Sequence, residues 1–249
     1  MPKPNIALQL WTVRAQTEAD YDGTLCAVAQ SGYTAVEPWT LHSLTAAELR
    51  TACDAHGLRV PAMHFGYARL LSDLDNVVAE AHTLGCDYVV CSGLPASPRL
   101  DDWRAASDDL NEVGLRCREQ NLQLAYHNEY DFAPLGNTCG FEILVNRLDV
   151  NLVKFQLDVF CAAVCGADPI IWLQRLHKRV PLVHLENGVP DARPVRTATW
   201  LGEGVLPIHK IVQATCDAGA QWLIVEHDVA QPDPVQGAAR SLEILRWRE

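Results

Sequence analysis

Residues 73–93, DLDNVVAEAHTLGCDYVVCSG, carry one full phrase of the fold. A helical run closes on Gly85, a favoured residue just past a helix C-terminus. The apolar run DYVVCSG (87–93) follows at once. The phrase "helix, glycine, strand" recurs at Gly32, Gly57 and Gly219. TAAELRTACDAHG (45–57) adds a start signal, a Thr with a Glu three residues on, as in a capping box.

Working outward, eight strand-like runs appear. They are NIALQL (5–10), TAVEPW (34–39), LRVPAMHF (58–65), DYVVCSG (87–93), LQLAYHN (122–128), VKFQLDV (153–159), PLVHLEN (181–187) and QWLIVEHD (221–228). Each is short and nearly continuous in apolar character, as parallel strands covered on both faces read. Helical stretches lie between them, including GFEILVNR (140–147) and the closing PVQGAARSLEILRW (234–247). Repeated βα units of this number predict a closed (β/α)₈ TIM barrel, α/β in class, with one domain over 1–249. An open doubly wound sheet is the alternative. It lacks support because LWTVRAQ follows the first strand, with no glycine-rich phosphate loop. ARPVRTATWLGEG (192–204) is the longest non-periodic segment and reads as a loop over the barrel mouth.

Composition narrows the function classes. The chain has 249 residues, 49% of them hydrophobic, enough for a large core. With 20 Lys and Arg against 31 Asp and Glu, the net charge is −11, which argues against a phosphate-backbone partner. Nine cysteines, scattered and without a CxxC pair, suit a reducing compartment better than a disulfide framework. The N-terminus MPKPNIALQL lacks a signal-peptide layout, and no apolar stretch is long enough to span a bilayer. A cytoplasmic protein with no membrane or nucleic-acid partner is expected, and assembly into a homo-oligomer is left open.

In such barrels the active site forms at the C-terminal ends of the strands. Here those ends carry chemistry: Gln9 and Trp11, Glu37, His64, Ser92, His127 and Glu129, Asp158, His184 and Glu186, Glu226 and Asp228. His127, Asp158, His184 and Glu226 are spaced by 31, 26 and 42 residues, each about one βα unit, so they come from consecutive strands 5 to 8. Two imidazoles and two carboxylates form a mixed nitrogen–oxygen set that suits a divalent ion, Mn²⁺, Mg²⁺, Co²⁺ or Zn²⁺. Each residue alone has a plainer reading. Asp158 can cap the next helix, and Asp228 reads as a solvated loop residue. Glu37 can accept substrate hydroxyls or pair with Arg14. Trp11 and Trp39 can pack or form a stacking platform for a sugar. Buried charges are costly unless paired or metal-bound, and that favours the constellation over four coincidences.

An ordered series of motifs then resembles a known family. QLWTVR (9–14), GYTAVE (32–37), the His64 strand, YHNEYDF (126–132), FQLDVF (155–160), GADP (166–169), PLVHLENG (181–188), LGEG (201–204) and WLIVEHD (222–228) resemble, in order, the xylose isomerase-like TIM-barrel family of sugar phosphate isomerases and epimerases. The resemblance implies a divalent metal on His127, Asp158, His184 and Glu226, with Glu129 as the other contender for the strand-5 ligand. It implies proton transfer beside a carbonyl of a small sugar or keto-sugar. Glu226 is the expected base, with His127 or Glu129 opposite it. Gln9, Trp11, Glu37, His64 and Glu186 would contact substrate. The subgroup usually reads HNH and HLKD where this chain has HNE and HLEN, so Glu186 reverses a charge near the substrate. An isomerase or epimerase is the leading expectation. A dehydratase or β-eliminase acting on a keto-sugar or 3-keto-glycoside is the alternative. A nuclease of abasic DNA and a non-catalytic sugar-binding barrel fit less well.

Overall fold

The structure is a computed structural model that describes residues 3–95, 97, 99–189, 197–228 and 233–246. Its eight barrel strands are β1 (Asn5–Gln9), β2 (Val36–Glu37), β3 (Ala62–Phe65), β4 (Tyr88–Ser92), β5 (Gln123–His127), β6 (Val153–Asp158), β7 (Leu182–Leu185) and β8 (Trp222–Val225). They pair in parallel in the order β2-β1-β8-β7-β6-β5-β4-β3. The ends of this sheet meet at a parallel bridge between Ala35 and Arg59, with Val36 N donating to Arg59 O at 2.9 Å and His64 N to Pro38 O at 3.0 Å. The barrel is therefore nearly closed, as the βα repeat predicts.

All eight expected strands are present, and the differences lie at their ends. TAVEPW shrinks to Val36–Glu37 and LRVPAMHF to Ala62–Phe65. Pro38 and Pro61 bound these short strands because proline has no N–H to give the ladder. PLVHLEN is not one strand. β7 stops at Leu185, and Asn187–Val189 turns into an antiparallel ribbon with Thr197–Thr199. The segment 192–204 is thus not a plain loop in its described part, and 192–196 lies outside the described residues.

Local signals held where cap chemistry was explicit. Thr45 Oγ1 accepts from Glu48 N at 3.2 Å while Glu48 Oε2 accepts from Thr45 N at 2.7 Å, closing the capping box of helix Ala46–Ala55. Gly85 and Gly219 end their helices at φ of 74° and 85°, left-handed values that glycine adopts without a Cβ clash. All nine cysteines are free thiols. Among the described residues, no helix is long and apolar enough to cross a membrane.

The two-residue period of the strands sorts side chains into two compartments. Leu8, Val36, Met63, Val89, Leu124, Phe155, Val183 and Leu223 belong to the large core under the helices. Ala7, Ala35, Ala62, Val90, Ala125, Leu182, Trp222 and Ile224 form a second, small cluster inside the barrel. One inward position further on, the lining becomes polar. Gln9, Glu37, His64, His127, Gln156 and His184 are all buried there. The apolar floor and polar ceiling come from one period read along eight strands.

Candidate active site

A cavity of about 410 Å³ opens at the C-terminal ends of the strands. Gln9, His64, Ser92, His127, Asp158 and Glu226 line its base, and Trp11, Trp39, Glu129, Tyr130, Cys161 and Asp228 line the rest. Strand register brings the base together, setting Gln9 beside Glu37, Ser92 beside His127 and Asp158 beside His184.

His127, Asp158, His184 and Glu226 each offer a ligand atom, and these atoms lie within 4.8 Å of one another. The two carboxylate oxygens of Asp158 face different ways. Its Oδ1 accepts from Cys161 N at 2.6 Å and caps helix Val159–Val164, and its Oδ2 stands 3.9 Å from His127 Nε2. The capping and ligand readings of Asp158 thus fall on different oxygens. Asn128 holds the residue in place, accepting from Asp158 N at 2.9 Å and donating to Asp158 O at 3.2 Å. The donor set fits a divalent cation: two imidazoles and two carboxylates on rigid strand ends, with Asp158 and both histidines buried.

His184 sits between two carboxylates, with Nδ1 at 2.7 Å from Glu226 Oε2 and Nε2 at 2.6 Å from Glu37 Oε2. Burial alone would discourage its charged form, but Glu226 and Glu37 more than reverse this and hold the imidazole well above its usual range. The carboxylates respond in the opposite sense. Burial pushes Glu37 up, and His64 and His184 pull it below the ordinary carboxylate range. Glu226 is likewise raised by burial and, on balance, lowered by His184.

Two residues expected to contact substrate, Glu37 and Glu186, are buried and not among those lining the cavity. Glu37 is wholly buried and stands behind the cavity lining. It accepts from Gln9 Nε2 at 2.9 Å, Gln156 Nε2 at 2.7 Å and His184. It does not pair with Arg14, whose guanidinium donates to the carbonyls of Trp11 and Asp228 and lies 4.4 Å over the Trp11 ring. Glu186 is also fully buried, and its Oε1 accepts from Asp228 N at 2.7 Å. Asn187 ties the chain to Leu206, accepting from its N at 3.0 Å. In HLEN, Glu186 and Asn187 thus accept from backbone N–H groups of Asp228 and Leu206.

Asp228 is corrected in the other direction. It lines the cavity, and its Oδ1 accepts from Trp11 Nε1 at 2.6 Å. Trp11 meets Trp39 edge to face at 4.7 Å, so the aromatic wall is fixed from both sides. Glu129 is exposed at the mouth beside Tyr130, while His127 is buried below. Gln156 escaped the sequence reading because it lies inside its strand, whereas the candidates were taken from strand ends. The available signal was its place two residues before Asp158 on one strand, hence on the same face.

The profile of a family described as a xylose isomerase-like TIM barrel matches residues 25–247. An inosose dehydratase of Bacillus anthracis (strain CDC 684 / NRRL 3495) is 20% identical over 287 residues, covering 98% of this chain and 96% of that protein. A sugar phosphate isomerase/epimerase from Parabacteroides distasonis ATCC 8503 superimposes with a TM-score of 0.84 at 18% identity, over 100% of this chain and 95% of that one. The IOLI protein, solved with a bound zinc atom, does so with a TM-score of 0.77 at 17% identity, over 97% of each chain.

Proposed function

The chain belongs to the xylose isomerase-like TIM-barrel family, and from that premise we propose that it is a metal-dependent isomerase or epimerase of a small sugar or keto-sugar. The observation that carries this reading is the cluster of His127, Asp158, His184 and Glu226 at the base of a sugar-sized cavity. These four residues would hold the ion, and the IOLI protein, similar in fold, was solved with a bound zinc atom. When bound, a divalent ion supplies Lewis-acid polarisation of carbonyl and hydroxyl oxygens.

The remaining work falls to side chains of this protein. Glu226 accepts the proton from the carbon beside the carbonyl, and Glu129 or His127 serves the opposite side. Trp11 and Trp39 bound the substrate's apolar face. Gln9, His64 and Asp228 meet its hydroxyls.

A dehydratase is the second reading, favoured by the name of the nearly full-length relative, inosose dehydratase. It shares the first proton abstraction. The C–O bond to the neighbouring hydroxyl then breaks, the electron pair of the lost C–H forms the new double bond, and Glu129 or His127 protonates the departing hydroxyl to water.

Both readings are tested by incubating manganese- or zinc-loaded protein with a panel of ketoses and inososes in D₂O. Replacement of a substrate C–H by deuterium, with mass otherwise unchanged, supports the isomerase or epimerase. A product lighter by one water supports the dehydratase. No exchange and no water loss across the panel, with metal bound, would contradict both.

A further inference from the structure

Glu37, His64 and His184 form a second group whose ligand atoms lie within 4.8 Å of one another, and it shares His184 with the first. We infer that this second group is not a metal site: Glu37 is a positioning residue that fixes which ring nitrogen of His184 and of His64 carries a proton. The inference rests on the metal reading above for His184, but not for His64.

The argument is one of donors and acceptors. A carboxylate only accepts, so both groups aimed at Glu37 from the glutamines must be N–H. Gln9 and Gln156 each present Nε2 to it, at 2.9 and 2.7 Å. With its amide NH₂ directed to Glu37, Gln156 turns its Oε1 to His64, 2.7 Å from Nε2. An amide oxygen also only accepts, so His64 must carry its proton on Nε2. That leaves Nδ1 as the basic nitrogen of a residue lining the cavity.

His184 follows the same rule. Its Nε2 donates to Glu37 at 2.6 Å, inside the barrel and away from the cavity lining. Its Nδ1 faces Glu226, which does line the cavity. An ion entering from the mouth therefore meets Nδ1, and the Nε2 proton stays with Glu37. Outer carboxylates commonly orient metal-bound histidines in this way. An ion between Glu37, His64 and His184 would instead have to replace the Nε2 protons that both rings direct at Glu37 Oε2 and Gln156 Oε1. Gln156 Oε1, buried beside Glu37, would then be left unpaired at a cost.

The arrangement also explains why a full charge is tolerated at the centre of the barrel. Glu37 has no exposure, yet Gln9, Gln156 and His184 donate to it and His64 Nε2 lies 3.2 Å from its Oε2, four side chains on four other strands. Each of these donors is itself held by strand register, so the network is set before any ligand arrives.

The test uses protein labelled with ¹⁵N at histidine, and long-range ¹H–¹⁵N correlation identifies the protonated nitrogen. In metal-free protein, His64 should be the Nε2–H tautomer. An Nδ1–H tautomer overturns the hub, whatever the metal result. With zinc added, His184 should keep its Nε2 proton and bind through Nδ1, at one ion per chain. Binding through Nε2, or a second ion that Glu37→Gln abolishes, overturns the inference. Glu37→Gln should weaken zinc binding about 10–100-fold, and unchanged affinity in a folded variant also overturns it. If wild-type protein bound no zinc or manganese, the metal reading would fail while the His64 result still judged the hub. The wild-type spectra do not depend on the variant folding.

Discussion

On the proposed metal reading, Asp158 separates stability from metal binding, because its two oxygens would have different work. Oδ1 caps helix Val159–Val164, and Oδ2 faces the ligand cluster. Asn at the same place can keep the cap, since Asn and Asp cap about equally well, whereas Ala loses it at about 1 kcal/mol. In chelator-treated protein, Asp158→Asn should therefore unfold within a degree or so of wild type. Asp158→Ala should unfold lower by about 2–4 °C, the shift expected for 1 kcal/mol in a chain of this length. Metal affinity should behave differently. Both variants lose a charged ligand, and both should fall by more than the roughly 10–100-fold that an outer partner costs. A 100-fold loss is about 2.8 kcal/mol. Thermal melts in chelator and calorimetric titration with Mn²⁺ or Zn²⁺ read the two effects separately. The reasoning is refuted if Asp158→Ala binds metal stoichiometrically with wild-type affinity. It is refuted equally if the Asn and Ala variants lose the same stability.

Four further outcomes are expected. Glu129→Gln should cut turnover while sparing metal content, and His64→Ala should raise KM; a fully active Glu129→Gln passes the role to His127. Asp131, buried and bonded to the Tyr126 hydroxyl, has its pKa pushed up to about 7 by burial, against about 4 when unfolded. The folded chain therefore holds that proton more tightly. The associated stability is present below about pH 4 and is lost as pH rises through about 7, by a few kcal/mol. Asp131→Asn should remove that slope in urea titrations, and an unchanged slope would contradict the assignment. Gly237→Ala places a Cβ 1.9 Å from the Trp200 ring, which packs on His227 beside Glu226. Despite alanine's better helix propensity, it should destabilise by about 1–3 kcal/mol, and a higher melting temperature would show that the ring yields.

The fold was legible because its signals are local. Glycine after a helix, a capping box and short apolar runs need no knowledge of distant contacts. Strand ends were less legible: Pro38 and Pro61 trimmed two strands, and β7 stopped before Glu186. The convergence of His127, Asp158, His184 and Glu226 could be read because each ends an apolar run on successive strands. Depth could not. Glu37 and His127 look alike as polar residues at strand ends, yet only His127 lines the cavity. Asp228 reads as a loop residue because its partner, Trp11, lies 217 positions away.

The most direct measurement is an anomalous difference map from a crystal grown with manganese. The account predicts one peak, about 2.0–2.3 Å from atoms of His127, Asp158, His184 and Glu226, with Nδ1 of His184 as its ligand. A peak among Glu37, His64 and Nε2 of His184, or none at the base of the cavity in a manganese-loaded crystal, would contradict it.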